Sequence, residues 1–135
     1  MKSYFKKNIE KINKNYVTRL EREIENYFKL CDVENEKNQT KIVKCYTVSG
    51  LCLYLGITRS DIDVIIKNIK SKHIIANANL VIENFIEENL LNGKISASSA
   101  IMVLKYNFNW TDKVTKDDDD TEIYIDFGMN PEYSE

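Results

Sequence analysis

The sequence lacks most of the residues that enzymes and metal sites need. His73 is the only histidine, and Cys31, Cys45 and Cys52 are odd in number and show no CxxC spacing. These residues suggest neither a disulfide framework nor a zinc site. A His-assisted nucleophile would depend on a single histidine with no evident Cys or Ser partner. We therefore expect a protein without catalytic activity, metal or other cofactor, whose thiols are reduced and partly buried.

Glycine and long apolar runs are also scarce. The four glycines are isolated, which excludes a glycine-rich phosphate loop. The apolar runs are too short to span a membrane, and the basic N-terminus is not followed by the apolar stretch of a signal peptide. We expect a cytoplasmic protein with no membrane partner, folded as one compact domain with an appendage.

Charge is distributed unevenly along the chain. Residues 1–116 hold all 19 Lys and Arg against 13 Asp and Glu, whereas residues 117–135 hold eight acidic residues and no basic one. The basic body indicates nucleic acid as a partner. The acidic tail indicates either a different partner or screening of the chain's own charge.

The stretch TVSGLCLYLGITRSDIDVIIKNIK, residues 47–70, predicts two helices joined by a tight turn. Apolar residues recur at helical spacing, and Gly56 separates the two runs at a point where positive φ closes a short turn at low cost. Thr58 predicts an N-cap that accepts from the amide of Asp61, whose carboxylate reaches back. This pattern is typical of a helix-turn-helix, but also of other amphipathic helix pairs joined at a glycine.

A helix-turn-helix would present the N-terminal end of its second helix to a DNA groove. Lysines that follow this helix on one side would hold phosphates, although lysine is also common at solvated helix ends. The candidate DNA-binding residues are Thr58, Arg59, Ser60, Asp63, Lys67, Lys70 and Lys72.

Helices are also predicted on both sides of this stretch. A long amphipathic helix runs from about Ile9 to Leu30, and the lysine-rich N-terminus is either a basic arm or the start of that helix. After a junction at residues 71–77, a second long helix ends near Gly93. A short helix with small residues follows, and we expect Trp110 to pack back onto it.

The helix that ends near Gly93 is apolar over an arc wider than one packing face needs. It either forms the centre of the monomer core or is also buried against another copy of the chain. The candidate oligomerisation residues are Leu80, Val81, Phe85, Ile86 and Leu90.

The acidic tail contains a segment with the alternation of a β-strand, in which Ile123, Ile125 and Phe127 share one face. A lone strand is not stable in water. It would pair with the same strand of other subunits or with the sheet edge of a partner. The alternative is a disordered tail in which the alternation arises by chance.

The expected fold is mainly α, with a short C-terminal strand. We expect an N-terminal basic helix and a helix-turn-helix DNA-binding region in residues 1–72. Residues 73–116 would form a helical oligomerisation region, and residues 117–135 an acidic tail.

Four segments, in order, resemble the small subunit of phage terminase, a DNA-packaging family of tailed phages. They are IENYFKLCD at 24–32, TVSGLCLYLGITRSDI at 47–62, IENFIEENLLNGK at 82–94, and AIMVLKYNFNWTDK at 100–113. The last segment is similar to the family's closing LKN-x-FGW-x-DK. It differs in having Tyr106 where the family usually has Asn, and Asn109 where it usually has Gly.

The resemblance implies a non-catalytic protein that assembles into a ring of about eight to ten subunits. It would bind double-stranded phage DNA at the packaging initiation site and deliver it to the large terminase subunit, which has the ATPase and nuclease activities. The DNA would lie outside the ring or thread its hole. The rival hypothesis is a prophage transcription regulator that binds a palindromic site as a dimer. A purely structural adaptor would not bind DNA.

Overall fold

The computed structural model describes residues 3–38 and 41–111. Within these ranges the six helices are α1 (Tyr4–Lys7), α2 (Lys14–Glu36), α3 (Val48–Leu55), α4 (Arg59–Ile65), α5 (Ile69–Leu91) and α6 (Ala97–Phe108). The predicted mainly α fold is confirmed. The predicted strand with Ile123, Ile125 and Phe127 lies outside the described residues.

The chain divides into two compact units, of which the first ends at Ala100 and the second begins at Ile101. In the first unit, α2 packs against α3 and α5. Each of these helices contributes one buried face, with steps of three and four residues that match the helical repeat. The buried residues are Tyr16, Leu20, Ile24, Tyr27 and Cys31 on α2, Leu51, Cys52 and Leu55 on α3, and Ile75, Ala78, Ile82 and Ile86 on α5.

Helix α2 confirms the predicted amphipathic face but not its predicted limits. Asn13 is the N-cap, and its side chain accepts from the amide of Tyr16 at 2.9 Å. The predicted start at Ile9 is therefore wrong. An N-cap side chain accepts from the first free amides of a helix, so α2 begins at the residue after Asn13. The helix continues to Glu36, beyond the predicted end at Leu30.

The N-terminus folds back as the separate short helix α1 rather than extending α2. Phe5 is buried against Tyr16, with ring centroids 5.3 Å apart and the rings edge to face. The hydroxyl of Tyr16 donates to the carbonyl of Phe5 at 3.0 Å. The guanidinium of Arg19 lies 3.8 Å from the centre of the Tyr4 ring. These contacts hold α1 against the body, so its residues do not form a free basic arm.

The predicted junction at residues 71–77 is wrong, because α5 runs through it. The break lies earlier, and Asn68 caps α5 by accepting from the amide of Ser71 at 3.0 Å. The boundary expected between residues 72 and 73 thus falls inside one continuous helix.

In the second unit, α6 ends at Phe108, and Asn109 follows with φ of 61°. Asparagine adopts this left-handed conformation more readily than other residues with a side chain, which fits its position where glycine is common. The amide of Trp110 then donates to the carbonyl of Leu104 at 3.2 Å, so the backbone turns back on the helix.

Candidate nucleic-acid interface

The turn between α3 and α4 is closed by backbone hydrogen bonds around Gly56. The amide of Ile57 donates to the carbonyl of Cys52 at 3.0 Å, and the amide of Gly56 donates to the carbonyl of Leu53 at 3.2 Å. This pair of bonds is the Schellman arrangement, which needs positive φ at the residue that ends the helix. Gly56 has φ of 75°, as the sequence predicts.

The predicted capping box at the start of α4 is confirmed. The Thr58 hydroxyl accepts from the amide of Asp61 at 3.1 Å, and the Asp61 carboxylate accepts from the amide of Thr58 at 2.9 Å. The hydroxyl of Thr58 is therefore engaged in the cap, although the sequence made this residue a candidate for DNA binding.

Helix α1 is anchored on this turn by two contacts that the sequence did not predict. Lys6 Nζ donates to both carboxylate oxygens of Asp61, each at 2.8 Å. Ser3 Oγ donates to the carbonyl of Gly56 at 3.2 Å. The N-terminal residues thus brace both the turn and the first turn of α4.

The Asp61 carboxyl is held in its charged form by its partners. Hydrogen bonds from Lys6, and then from the amide of Thr58, lower the pKa of Asp61 below its ordinary value of 3.8. Its ionised form therefore stabilises the folded protein above pH 3.8. That contribution is lost as the pH falls below 3.8 and through the folded-state pKa.

We expect Asp61→Asn to lower the free energy of unfolding at neutral pH by about 1–2 kcal/mol, because it removes a charge-assisted pair next to the cap. The difference from wild type should shrink as the pH falls below 3.8, where the wild-type carboxylate is also lost. Urea unfolding at both pH values measures this. The control is Asp63→Asn, at an exposed carboxylate that has no ion pair among the described residues. If the loss of unfolding free energy in Asp61→Asn does not change with pH, the charge of Asp61 does not stabilise the folded protein.

The exposed face of α4 carries several of the predicted DNA-binding residues. Arg59, Ser60 and Asp63 are exposed together with Val64, whereas Asp61 and Ile65 point inward. Because successive residues of an α-helix are about 100° apart around its axis, these four exposed residues share one side of α4. The Arg59 guanidinium also donates to the hydroxyl of Ser49 on α3 at 3.2 Å, which links the two helices.

The three predicted phosphate-binding lysines do not extend α4 along one side. Lys67 lies in the turn that follows α4, and Lys70 and Lys72 lie in the first turn of α5. Residues two apart in a helix differ by about 200° around its axis, so Lys70 and Lys72 point in different directions. All three are exposed, but the expectation of one shared side is wrong.

The predicted oligomerisation residues occupy different environments on α5. Ile86 is buried, while Phe85 is half-buried and stacks on Tyr46 with ring centroids 4.1 Å apart. Val81 and Leu90 are half-buried, and Leu80 is 61 % exposed.

Two residues that are not among the candidate oligomerisation residues, Ile69 and Leu91, share the side of α5 on which Leu80 lies. Ile69 is 71 % exposed and Leu91 is 77 % exposed. They lie eleven residues before and after Leu80, which is close to three full helical turns. We call Ile69, Leu80 and Leu91 the outer stripe, because it lies opposite the buried face. Its spacing of eleven residues is present in the sequence, but the sequence pattern places Ile69 on the helix before the break.

An open groove of about 380 Å³ runs between α2 and α5. Its apolar lining is Ile24 and Phe28 from α2, and Ile74, Ala78 and Val81 from α5; Glu21, Glu25, His73 and Asn77 complete it. Val81 is thus open to a concave apolar surface next to the outer stripe.

The described residues contain no arrangement that points to metal chemistry or membrane insertion. Nowhere in residues 3–38 and 41–111 do three His, Cys, Asp or Glu side chains come together as a metal site requires. No helix in these ranges combines the length and the apolar character needed to cross a membrane. Cys31, Cys45 and Cys52 are free thiols, and burial raises the pKa of each.

Comparison with known proteins gives a match to a protein family. The model of a family described as "DNA-packaging protein gp3" matches residues 11–116 of this chain. No curated protein and no solved structure matches it. The matched range includes all of α2 to α6.

Proposed function

We propose that this chain, which belongs to the phage family of DNA-packaging protein gp3, is the small subunit of a phage terminase. In this role it binds double-stranded phage DNA at the packaging initiation site and delivers it to the large terminase subunit. The large subunit supplies the ATPase and nuclease activities, and the small subunit is not an enzyme. It acts in the cytoplasm of the bacterial host.

The exposed face of α4 is the observation that best supports DNA binding. It offers a guanidinium, a hydroxyl and a carboxylate from Arg59, Ser60 and Asp63, which are groups that bond base edges. The Schellman turn and the capping box fix α4 relative to α3, so the face is preorganised. We propose that residues 1–72 form the DNA-binding region and that Thr58 positions α4 rather than touching bases.

The outer stripe supports assembly into a ring. Its exposed apolar residues would be covered by another copy, while Ile86 on the opposite side of α5 fills the core. The groove lined by Phe28 and Val81 is a second, differently shaped surface, and a ring needs two different surfaces that fit each other. We propose that the oligomerisation region, expected at residues 73–116, also includes Ile69 of the outer stripe and the α2 side of this groove. The tail with Ile123, Ile125 and Phe127 pairs between subunits or with the large subunit.

We expect Arg59→Ala to weaken binding to the packaging site by about 1–3 kcal/mol while binding to other DNA changes less, because a base contact carries sequence information. Lys70→Ala should weaken binding to all sequences alike and reduce the slope of affinity against salt by about one. Titration of labelled duplexes at several salt concentrations measures both effects. Equal binding by wild type and both variants at low salt would remove α3 and α4 from the DNA-binding role. A native mass of two subunits would favour the dimeric regulator over the ring.

A further inference from the structure

The excess positive charge of the body is concentrated at its N-terminus. Residues 1–20 contain six Lys and Arg and one Glu, whereas residues 21–116 contain thirteen basic and twelve acidic residues. The rest of the body is therefore close to neutral. On the exposed face of α4, Arg59 is offset by Asp63, so this face adds little net attraction for DNA.

The start of the basic N-terminal segment is held beside α4. Lys6 bonds Asp61 in the first turn of α4, and Ser3 bonds the carbonyl of Gly56 in the turn before it. Lys7 follows Lys6 directly, lies about 200° from the buried Phe5 around α1, and is exposed. It therefore points away from the core while its backbone stays next to the start of α4.

Three lysines of this segment are available to an anionic partner. Lys7, Lys11 and Lys14 are exposed, and none of them forms an ion pair among the described residues. Lys6, by contrast, is engaged by Asp61 and serves as the anchor. The segment thus separates the lysine that fixes its position from those that can bind.

We propose that Lys7, Lys11 and Lys14 form a surface that binds the phosphates of double-stranded DNA and flanks the groove-facing helix α4. This inference rests on the proposed function, because it assigns a further source of the electrostatic affinity for the same DNA. Phosphate contacts supply affinity that does not depend on sequence and set the position of the protein, while base contacts give specificity. Lys7, Lys11 and Lys14 contact the phosphates, and α4 contacts the bases.

The test compares two triple variants of the full chain with equal reduction of charge. One is Lys7→Gln, Lys11→Gln and Lys14→Gln. The matched control is Lys29→Gln, Lys41→Gln and Lys94→Gln, at exposed lysines that also form no ion pair among the described residues. The dissociation constant for double-stranded DNA of mixed sequence is measured over a range of salt concentrations, and circular dichroism checks the fold.

The N-terminal triple variant should reduce the slope of log affinity against log salt by about 0.9 for each phosphate that a lysine no longer neutralises. At about 0.1 M salt its affinity should fall by about two orders of magnitude, while the control keeps nearly the wild-type slope. If circular dichroism shows that the triple variant is unfolded, Lys7→Gln alone should still lower the slope by about 0.9.

Each result separates this inference from the proposed function. If wild type binds DNA and the slope falls by the same amount in the two triple variants, the N-terminal surface is overturned and DNA binding by the chain stands. If wild type does not bind DNA at any salt concentration, DNA binding itself is overturned, and the N-terminal surface with it.

Discussion

Ile86→Asp is expected to unfold the chain, whereas Leu80→Asp should leave its helix content unchanged and reduce the mass of the oligomer. Ile86 is 4 % exposed on the inner face of α5, and Leu80 is 61 % exposed on the outer stripe. A carboxylate at position 86 would be buried in an apolar core without a cation, at a cost of more than about 4 kcal/mol. That cost approaches the lower end of the stability of an ordinary domain, which is about 5–15 kcal/mol.

The same charge at position 80 meets water in the isolated chain and is costly only where another copy covers it. Circular dichroism reports the fold, and native mass spectrometry reports the number of subunits. Leu53→Asp is the control, because Leu53 is 83 % exposed on α3 and lies outside the outer stripe. It should change neither measurement.

Two other results would contradict this picture of α5. A Leu80→Asp protein that keeps the wild-type oligomeric mass would show that the outer stripe is not the assembly interface. An Ile86→Asp protein with wild-type helix content would show that Ile86 does not belong to the core. A wild-type protein that is monomeric at all concentrations would overturn the ring itself.

Local signals predict the turn between α3 and α4 and the start of α4 correctly. Positive φ at Gly56 and the capping box of Thr58 and Asp61 both depend on residues within a few positions of each other, so a single sequence contains them. The end of α6 depends on a local signal of the same kind, since Asn109 has φ of 61°. The roles of the residues on these elements stay predictions.

The break between α4 and α5 was missed for a physical reason. No glycine or proline marks residues 66–68, and apolar residues continue at helical spacing on both sides. The break is marked only by an N-cap: the side chain of Asn68 accepts a hydrogen bond from the amide of Ser71, and a new helix begins after it. The pattern of residues 47–70 therefore places Ile69, which is exposed, on the wrong helix.

The contacts between α1 and α4 could not be predicted from local pattern. Lys6 and Asp61 are 55 residues apart. Several lysines lie near the N-terminus, and the local sequence does not indicate which of them pairs with Asp61. Tyr27 and Thr47 likewise meet only because α2 packs against α3. Long-range polar pairs of this kind require the fold.

Gly50→Ala is expected to destabilise the protein by about 2–4 kcal/mol, although replacing a helical glycine by alanine usually stabilises by about 0.5–1 kcal/mol. A Cβ at position 50 would lie 2.5 Å from the Tyr27 hydroxyl and 2.7 Å from Thr47 Oγ1. Thr47 Oγ1 caps α3 by accepting from the amide of Gly50 at 2.8 Å. The Tyr27 hydroxyl accepts from the amide of Thr47 at 3.1 Å and donates to its carbonyl at 3.3 Å.

The added methyl group would therefore displace a helix cap and a pair of partly buried hydrogen bonds together. A double-mutant cycle with Tyr27→Phe tests this explanation, because removing the hydroxyl clears the nearer of the two clashes. The double variant should be more stable than the sum of the single losses by at least about 1 kcal/mol, measured by urea unfolding. Gly93→Ala is the control, since a Cβ there meets nothing within 4 Å and only the φ of 71° is unfavourable. Additive losses in the cycle, or a Gly50→Ala protein more stable than wild type, would show that Tyr27 does not require glycine at position 50.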